Sequence, residues 1–141
     1  MEKSLLYVGF LILLSGCFSS GSTMSLLDEE VIAIGVSESE GFGGINEEIM
    51  LFIDEQDELD ALIHIIETAR KENEIKMTDV QPEFDLLVEY SEVDGMLPTH
   101  GLHVIIGMDG EKSIFYYIGD ETAYVTSEED TSVMREMLLN D

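Results

Sequence analysis

The 141-residue chain has very little cysteine, proline, tryptophan or positive charge. It contains one Cys, two Pro and no Trp, and its six Lys and Arg face 31 Asp and Glu, for a formal net charge of −25. A single cysteine excludes an intramolecular disulfide. The shortage of cations excludes nucleic-acid binding, which depends on Lys and Arg neutralising phosphates. Because 45% of the residues are hydrophobic, the chain is not a disordered acidic tail either.

The chain also lacks an apolar run long enough to cross a membrane. Its longest run near the N-terminus is residues 5–14, whereas a transmembrane helix needs about 20 apolar residues. The polar residues 19–23 follow almost at once. A short apolar run followed by small residues is typical of a secretory signal peptide with its cleavage site.

The cysteine lies directly after this run, in the sequence Leu14-Ser15-Gly16-Cys17. This pattern resembles the lipobox of bacterial lipoproteins. The resemblance implies cleavage between Gly16 and Cys17 and a diacylglyceryl anchor, of the palmitate type, on Cys17. Two acyl chains hold a protein stably on a bilayer. We therefore expect a lipid-anchored protein on the extracellular face of a Gram-positive cell membrane; the alternatives are an ordinary secretory signal with a chance cysteine, or an uncleaved N-terminal anchor.

These features divide the chain into three parts. They are a signal peptide over 1–16, a lipidated cysteine with a flexible tether over 17–29, and a single α+β extracellular domain over 30–141. Cleavage removes one acid and one base, so the mature part keeps the charge of −25. Such a charge repels anionic lipid headgroups and wall polymers. We expect the domain to stand off the membrane on its tether.

Three explanations of the acidity remain open. The first is adaptation to an alkaline or saline exterior, the second is solubility with loosely associated counter-ions, and the third is a defined divalent-cation site. Runs starting at Asp54 and Asp109 lack the glycine that a calcium-binding EF-hand loop requires. We therefore interpret the acids as a solvated face and predict no metal site.

Hydrophobic periodicity predicts an α+β fold. The predicted order is β-β-α-β-β-β-β-α, a mostly antiparallel sheet of about six strands with two helices packed on it. The first helix is predicted to begin at an Asp54 N-cap and run to about Lys71, and Ser127 is predicted to cap the second. The strands are predicted at residues 31–36, 48–53, 84–90, 102–108, 113–118 and 123–126, with strand 84–90 presenting one wet face.

No residue pattern indicates catalysis. There is no Gly-x-Ser-x-Gly elbow and no Ser-x-x-Lys pair. His64 is predicted to lie on the exposed side of the first helix. His100 and His103 have an HxxH spacing, which would chelate a metal only on a helix or tight turn; on a strand, residues three apart point to opposite faces. We predict a non-enzymatic protein without a cofactor.

Aromatic residues in the last strands offer one candidate surface. Phe115 and Tyr117 share a face of strand 113–118, and both faces of that strand are apolar. If two helices cannot cover both sides of the sheet, these residues and Tyr124 form an exposed aromatic patch for a partner. The alternative is that helices and the 72–82 linker bury both faces.

Several short motifs carry a family resemblance. They are the loop SEGFGGIN of residues 39–46, the run of residues 52–69, Met77-Thr78-Asp79, Phe84-Asp85, Leu102-His103 and Thr122-Ala123-Tyr124. Together they make residues 39–139 similar to the YhfM-like domain of lipoproteins from low-GC Gram-positive bacteria. This chain is far more acidic and lacks a tryptophan near residues 102–106. The resemblance implies an anchored extracellular domain without known catalytic residues, and it singles out the loop residues Gly41, Phe42, Gly43 and Asn46 as candidates for interaction.

The combined expectation is an extracellular binding domain. Its partners would be the membrane lipid, through diacylglyceryl-Cys17, and an envelope protein or ligand. The alternative is an acidic lipoprotein that binds cations or buffers the envelope.

Overall fold

A computed structural model of the chain describes residues 22–140. It contains seven strands, two α-helices and a 3₁₀ turn at Met77–Asp79. The strands are β1 (Val31–Glu38), β2 (Leu51–Ile53), β3 (Arg70–Glu72), β4 (Phe84–Tyr90), β5 (Thr99–Ile105), β6 (Ile114–Tyr117) and β7 (Ala123–Val125). The helices are α1 (Gln56–Thr68) and α2 (Glu128–Leu139).

The strands form one antiparallel sheet in the order β2-β1-β4-β5-β6-β7-β3. The α+β prediction is therefore confirmed, and β4 has the predicted bounds. The seventh strand is β3, which the sequence analysis placed at the end of the first helix and the start of the linker. It pairs with β7 and is the edge strand of the sheet at the end opposite β2.

Helix α1 is shorter than predicted at both ends. Its N-cap is Glu55 and not Asp54, and the Glu55 side chain accepts no capping hydrogen bond. The helix ends at Thr68 because Ala69 adopts an extended conformation, with φ −63° and ψ 133°. The next residues satisfy their backbone groups on β7 instead of on the preceding helical turn. The prediction that α1 runs to Lys71 is wrong for this reason.

Helix α2 begins where the sequence predicts. Ser127 is its N-cap, and the Ser127 Oγ accepts a hydrogen bond from the Asp130 backbone N–H at 3.1 Å. This satisfies one of the backbone donors that every helix leaves free in its first turn. The Asp109-Gly110 turn likewise joins two antiparallel neighbours, β5 and β6, with Gly110 at a φ of +84°.

Both helices contribute to a core on one face of the sheet. We call this the helical face. Its side chains come from alternate strand positions, as expected for strands with a period of two. The fully buried members are Ile34, Val36, Leu86, Val88, Tyr90, Leu102, Val104 and Phe115 from the sheet, with Leu59, Leu62, Ile65, Ile66 and Met134 from the helices.

The loop between β1 and β2 covers part of the other face. Its Phe42 packs against side chains of β5 and β6, and its Ile45 lies against Gly101. A Cβ at Gly101 would come within 2.8 Å of Ile45, so the glycine permits this close approach. The prediction that β4 has one wet face is wrong at Asp85, which is fully buried beneath the loop region.

The segment from Ser22 to Leu27 packs on the domain and is not a free tether. Thr23 pairs with Arg70 of β3, and the Met24 side chain is only 2% exposed. The Tyr117 hydroxyl bonds to both backbone groups of Ser25, at 2.6 Å and 3.0 Å. Residues 22–27 of the expected flexible tether are therefore packed on the domain. Gly16 and Cys17 lie outside the described residues.

Within residues 22–140, neither helix has the length and apolar character to span a bilayer.

Candidate functional site

Four buried polar side chains form a row across the face opposite the helical face. Ser37 of β1, Asp85 of β4, His103 of β5 and Tyr116 of β6 stand directly opposite one another in successive strand pairs. None is more than 1% exposed. Buried polar groups need hydrogen-bond partners, because burial without them costs several kcal/mol in an apolar environment. The partners of this row therefore define the site.

Asp85 and His103 form an ion pair at the centre of the row. The His103 Nδ1 lies 2.6 Å from the Asp85 Oδ1. The His103 Nε2 lies 3.3 Å from the Gly43 backbone oxygen, and a carbonyl oxygen only accepts hydrogen bonds. The Nε2 is therefore placed to donate to the Gly43 carbonyl, and the Nδ1 lies within hydrogen-bond distance of the Asp85 carboxylate. Both ring nitrogens are thus engaged in hydrogen bonds.

The pair fastens the loop of residues 39–46, which we call the glycine loop. Its Gly43 carbonyl accepts from His103, and its Asn46 backbone N–H donates to the Asp85 Oδ2 at 2.8 Å. The Ser37 Oγ donates to the Asn46 carbonyl at 2.6 Å, and the Asn46 side-chain amide donates to the Glu38 carbonyl at 2.9 Å. The loop is consequently held at both its middle and its end.

Glycine is required within this loop by its backbone conformation. Gly41 and Gly43 have φ values of +110° and +136°, which side-chain-bearing residues rarely adopt. Between them, Phe42 turns inward and lies edge-on to the His103 and Tyr116 rings, with centroid distances of 5.3 Å and 5.1 Å. The Phe42 ring thus covers the His103 and Tyr116 end of the row.

Tyr116 ends the row with a buried hydroxyl that has no hydrogen-bond partner among the described residues. Burial raises the pKa of this phenol. The hydroxyl is therefore neutral near neutral pH, but without a hydrogen-bond partner it still carries the desolvation cost of its burial.

The structure brings the four loop candidates together. Gly41, Phe42, Gly43 and Asn46 all belong to one fastened loop. Asp85 and His103, which fasten it, were missed by the sequence analysis as functional residues. The available signal was the Phe84-Asp85 and Leu102-His103 pair of motifs, which become neighbours only once β4 and β5 are paired in register.

The aromatic candidates do not form an exposed patch. Phe115 is fully buried in the core of the helical face, so this interpretation is wrong. Tyr117 and Tyr124 are half-buried against the same core, with ring centroids 5.5 Å apart. The physical reason is that the N-terminal segment 24–27 adds cover on this face. His100 lies here too, stacked on Tyr117, which confirms that His100 and His103 point to opposite faces.

In the part of the chain that the structure covers, no three His, Cys, Asp or Glu side chains are grouped so as to hold a metal ion.

Comparison with known proteins supports the fold. No protein-family model and no curated protein matches the chain. Among solved structures, a thioesterase-like protein from Clostridium sporogenes ATCC 15579 is similar, with a TM-score of 0.54 and 16% sequence identity. The similarity covers 79% of this chain and 97% of that one. At this identity it shows a shared α+β fold and does not decide whether this chain is an enzyme.

Proposed function

We propose that this chain is a lipid-anchored extracellular lipoprotein whose domain binds an envelope protein through the glycine loop, without catalysing a reaction. The lipobox at Cys17 and the similarity to YhfM-like lipoproteins support the location. The fastened loop supports the binding role. The anchor keeps the domain at the cell surface, where such a partner is encountered.

The observation that carries the proposal is the orientation of His103. A general base needs a free nitrogen lone pair within hydrogen-bond reach of a substrate proton. Here the Gly43 carbonyl and the Asp85 carboxylate occupy both nitrogens, and the side chain is 1% exposed. The ion pair therefore acts on the loop. It fastens the glycine loop at Gly43 and Asn46.

The outer side of the glycine loop is suited to close contact with a partner. Glu40, Gly43 and Gly44 are exposed, and positions 43 and 44 have open space where a side chain would stand. A partner can therefore approach the backbone directly. Because the loop is already ordered, binding costs less conformational entropy than it would with a disordered loop.

Crosslinking in intact cells, followed by capture of the lipidated protein, tests the proposal. The test variant is Gly44→Arg, and Gly44→Ala is its matched control. Gly44 has an ordinary φ and no neighbour within 4 Å, so neither substitution strains the fold. We expect a stoichiometric partner with the wild type and Gly44→Ala that is lost with Gly44→Arg. A partner retained by Gly44→Arg contradicts the role of the loop.

The anchor is tested separately with Cys17→Ala. The variant should leave the membrane fraction and appear in the medium. If it still fractionates with membranes, the lipid-anchor part of the proposal fails, whatever the crosslinking shows.

One observation favours a second candidate, an acyl-thioester hydrolase. The fold is similar to that of a thioesterase-like protein, and the buried His103–Asp85 pair is a combination that hydrolases use. Catalysis would require the Gly43 carbonyl to release His103. Hydrolysis of a short-chain acyl thioester by the wild type, abolished in His103→Gln, would establish this candidate. We expect no His103-dependent hydrolysis.

A further inference from the structure

The chain reaches the domain at one edge of the sheet. The first described residue, Ser22, accepts a hydrogen bond from the Lys71 backbone N–H at 3.0 Å, and Thr23 pairs with Arg70. Both partners lie on β3, the edge strand opposite β2. The anchoring residue Cys17 is therefore connected to the domain at the β3 edge.

The connection between anchor and edge is short. Four residues separate Cys17 from Ser22. A fully extended chain spans at most about 3.6 Å per residue, so five steps reach about 18 Å. The β3 edge is thus held within about 18 Å of the acylated cysteine. This is less than the width of the sheet, whose seven strands at about 4.8 Å spacing extend over about 29 Å.

Four of the five Lys and Arg side chains of residues 22–140 lie at this same edge, and the fifth, Arg135, lies on α2. The chain has no Lys or Arg between Lys3 and Arg70. Arg70 and Lys71 lie on β3, Lys76 follows closely, and Lys112 lines the same cleft as Arg70. The side chains of Arg70, Lys71, Lys76 and Lys112 are all exposed, and none forms a salt bridge with another residue of the 22–140 range.

At the opposite edge every charged residue is acidic, and the side chains of Met50, Leu51 and Phe52 are exposed apolar groups. β2 is flanked by Glu47, Glu48, Asp54 and Glu55, without a nearby cation in the sequence. The β3 edge carries six acids, which its four cations offset only in part. These acids are Glu72, Glu74, Glu121, Glu128, Glu129 and Asp130. The charge is therefore distributed unevenly across the sheet, with the most negative edge farthest from the anchor.

We infer that the β3 edge faces the membrane and that Arg70, Lys71, Lys76 and Lys112 contact the phosphate groups of phospholipid headgroups. The acidic β2 edge is turned away from the bilayer. An anionic surface attracts basic side chains within about a Debye length and repels the acids. This inference rests on the proposed lipid anchor, and it replaces the expectation that the domain stands off the membrane.

Site-specific fluorescence measures the orientation. Once Cys17 is acylated, no other thiol remains, so one introduced cysteine can be labelled alone. Asn73→Cys places the label beside β3, and Met50→Cys places it beside β2 as the matched control; both positions are exposed. The lipidated variants are reconstituted into vesicles of phosphatidylglycerol and phosphatidylcholine with acceptor dye on the headgroups. We expect higher energy transfer from position 73, and equal or lower transfer than from position 50 overturns the inference.

The headgroup contact is tested by removing charge. Adding Lys71→Gln and Lys76→Gln to the Asn73→Cys variant should lower energy transfer in the phosphatidylglycerol vesicles at low salt, and much less in vesicles of phosphatidylcholine alone. Unchanged transfer in both vesicles overturns the contact with phosphate. Flotation of the wild type with the vesicles is measured first. Failure to float contradicts the anchor itself, which separates that outcome from a wrong orientation.

Discussion

The Asp85 and His103 side chains stabilise each other because neither has access to water. Removing one member of a buried ion pair leaves the other charged group without compensation, which typically costs about 3–5 kcal/mol. Asp85 additionally accepts from the Asn46 backbone N–H, which would lose its partner. We therefore expect Asp85→Ala to lower the free energy of unfolding by about 3–5 kcal/mol in urea titrations.

A double-mutant cycle with His103→Ala shows whether the loss belongs to the pair. The two single variants should each be strongly destabilised, and the double variant should lose much less than their sum. His64→Ala is the control, since His64 is exposed on α1, and we expect a change within about 0.5 kcal/mol. Additive losses for Asp85→Ala and His103→Ala would contradict the pairing.

His100 makes the free energy of unfolding depend on pH. Burial lowers the pKa of His100, so the folded protein binds this proton less readily than the unfolded chain does. Below the ordinary value of about 6.5 the unfolded state then holds more protons, and stability falls as the pH decreases, with a slope of at most about 1.4 kcal/mol per pH unit. His100→Gln should show a smaller loss between pH 7.5 and 5.5 than the wild type, in parallel urea titrations.

The measurement compares each protein with itself at the two pH values. Packing lost on Tyr117 is then common to both conditions and cancels. His64→Gln should retain the full loss of the wild type. If His100→Gln loses as much stability on acidification as the wild type, His100 is not the responsible group.

Burial of Asp85 is the feature that sequence reasoning could least predict. Asp85 lies between Phe84 and Leu86, so its side chain is on the other face of the sheet, where a solvent-facing residue is expected. The alternation of residues assigns a side chain to a face but does not show whether another segment covers that face. The cover comes from a loop some 40 residues earlier in the chain. Only the resemblance drew attention to that loop, and nothing in the sequence paired it with His103.

At the scale of elements, the N-terminal segment 22–27 behaves as part of the sheet. Met24 is 2% exposed and donates its backbone N–H to the Ala69 carbonyl at 3.1 Å. Truncating a buried Met to Ala costs about 2–5 kcal/mol. We expect Met24→Ala to destabilise by this amount, whereas the matched substitution Met96→Ala, at a side chain 72% exposed, should change stability by less than about 0.5 kcal/mol.

Thermal and urea unfolding of both variants provide the readout. Equal effects at the two positions would mean that the segment does not pack in solution and that the connection to Cys17 is longer than four residues. In that case the constraint on membrane orientation is lost too.

Element boundaries divide into those set locally and those set by pairing. The Ser127 cap and the bounds of β4 follow from neighbouring residues, and both were predicted. The end of α1 does not, because Arg70 and Lys71 suit a helix C-terminus as well as they suit a strand. Pairing with β7, more than 50 residues later, decides between the two. Periodicity within one segment does not contain that information.

At the scale of the whole molecule, the excess of acids works against folding. A net charge of −25 on one small domain generates self-repulsion that unfolding relieves. Salt screens this repulsion, since the Debye length falls from about 30 Å at 0.01 M to about 3 Å at 1 M ionic strength. We expect the melting temperature to rise between 0.01 M and 0.5 M NaCl by roughly 4 °C or more, which for this size is about 1 kcal/mol.

Calcium distinguishes screening from a specific site. CaCl₂ at the same ionic strength should raise the melting temperature about as much as NaCl does, because screening depends mainly on ionic strength. The described residues offer no cluster of three acidic or histidine ligands that would add to it. A folded-state site would add RT ln(1 + [L]/Kd) to the stability. A gain that appears with millimolar Ca²⁺ and is absent with NaCl at matched ionic strength would therefore favour the cation-binding alternative over the binding domain proposed above.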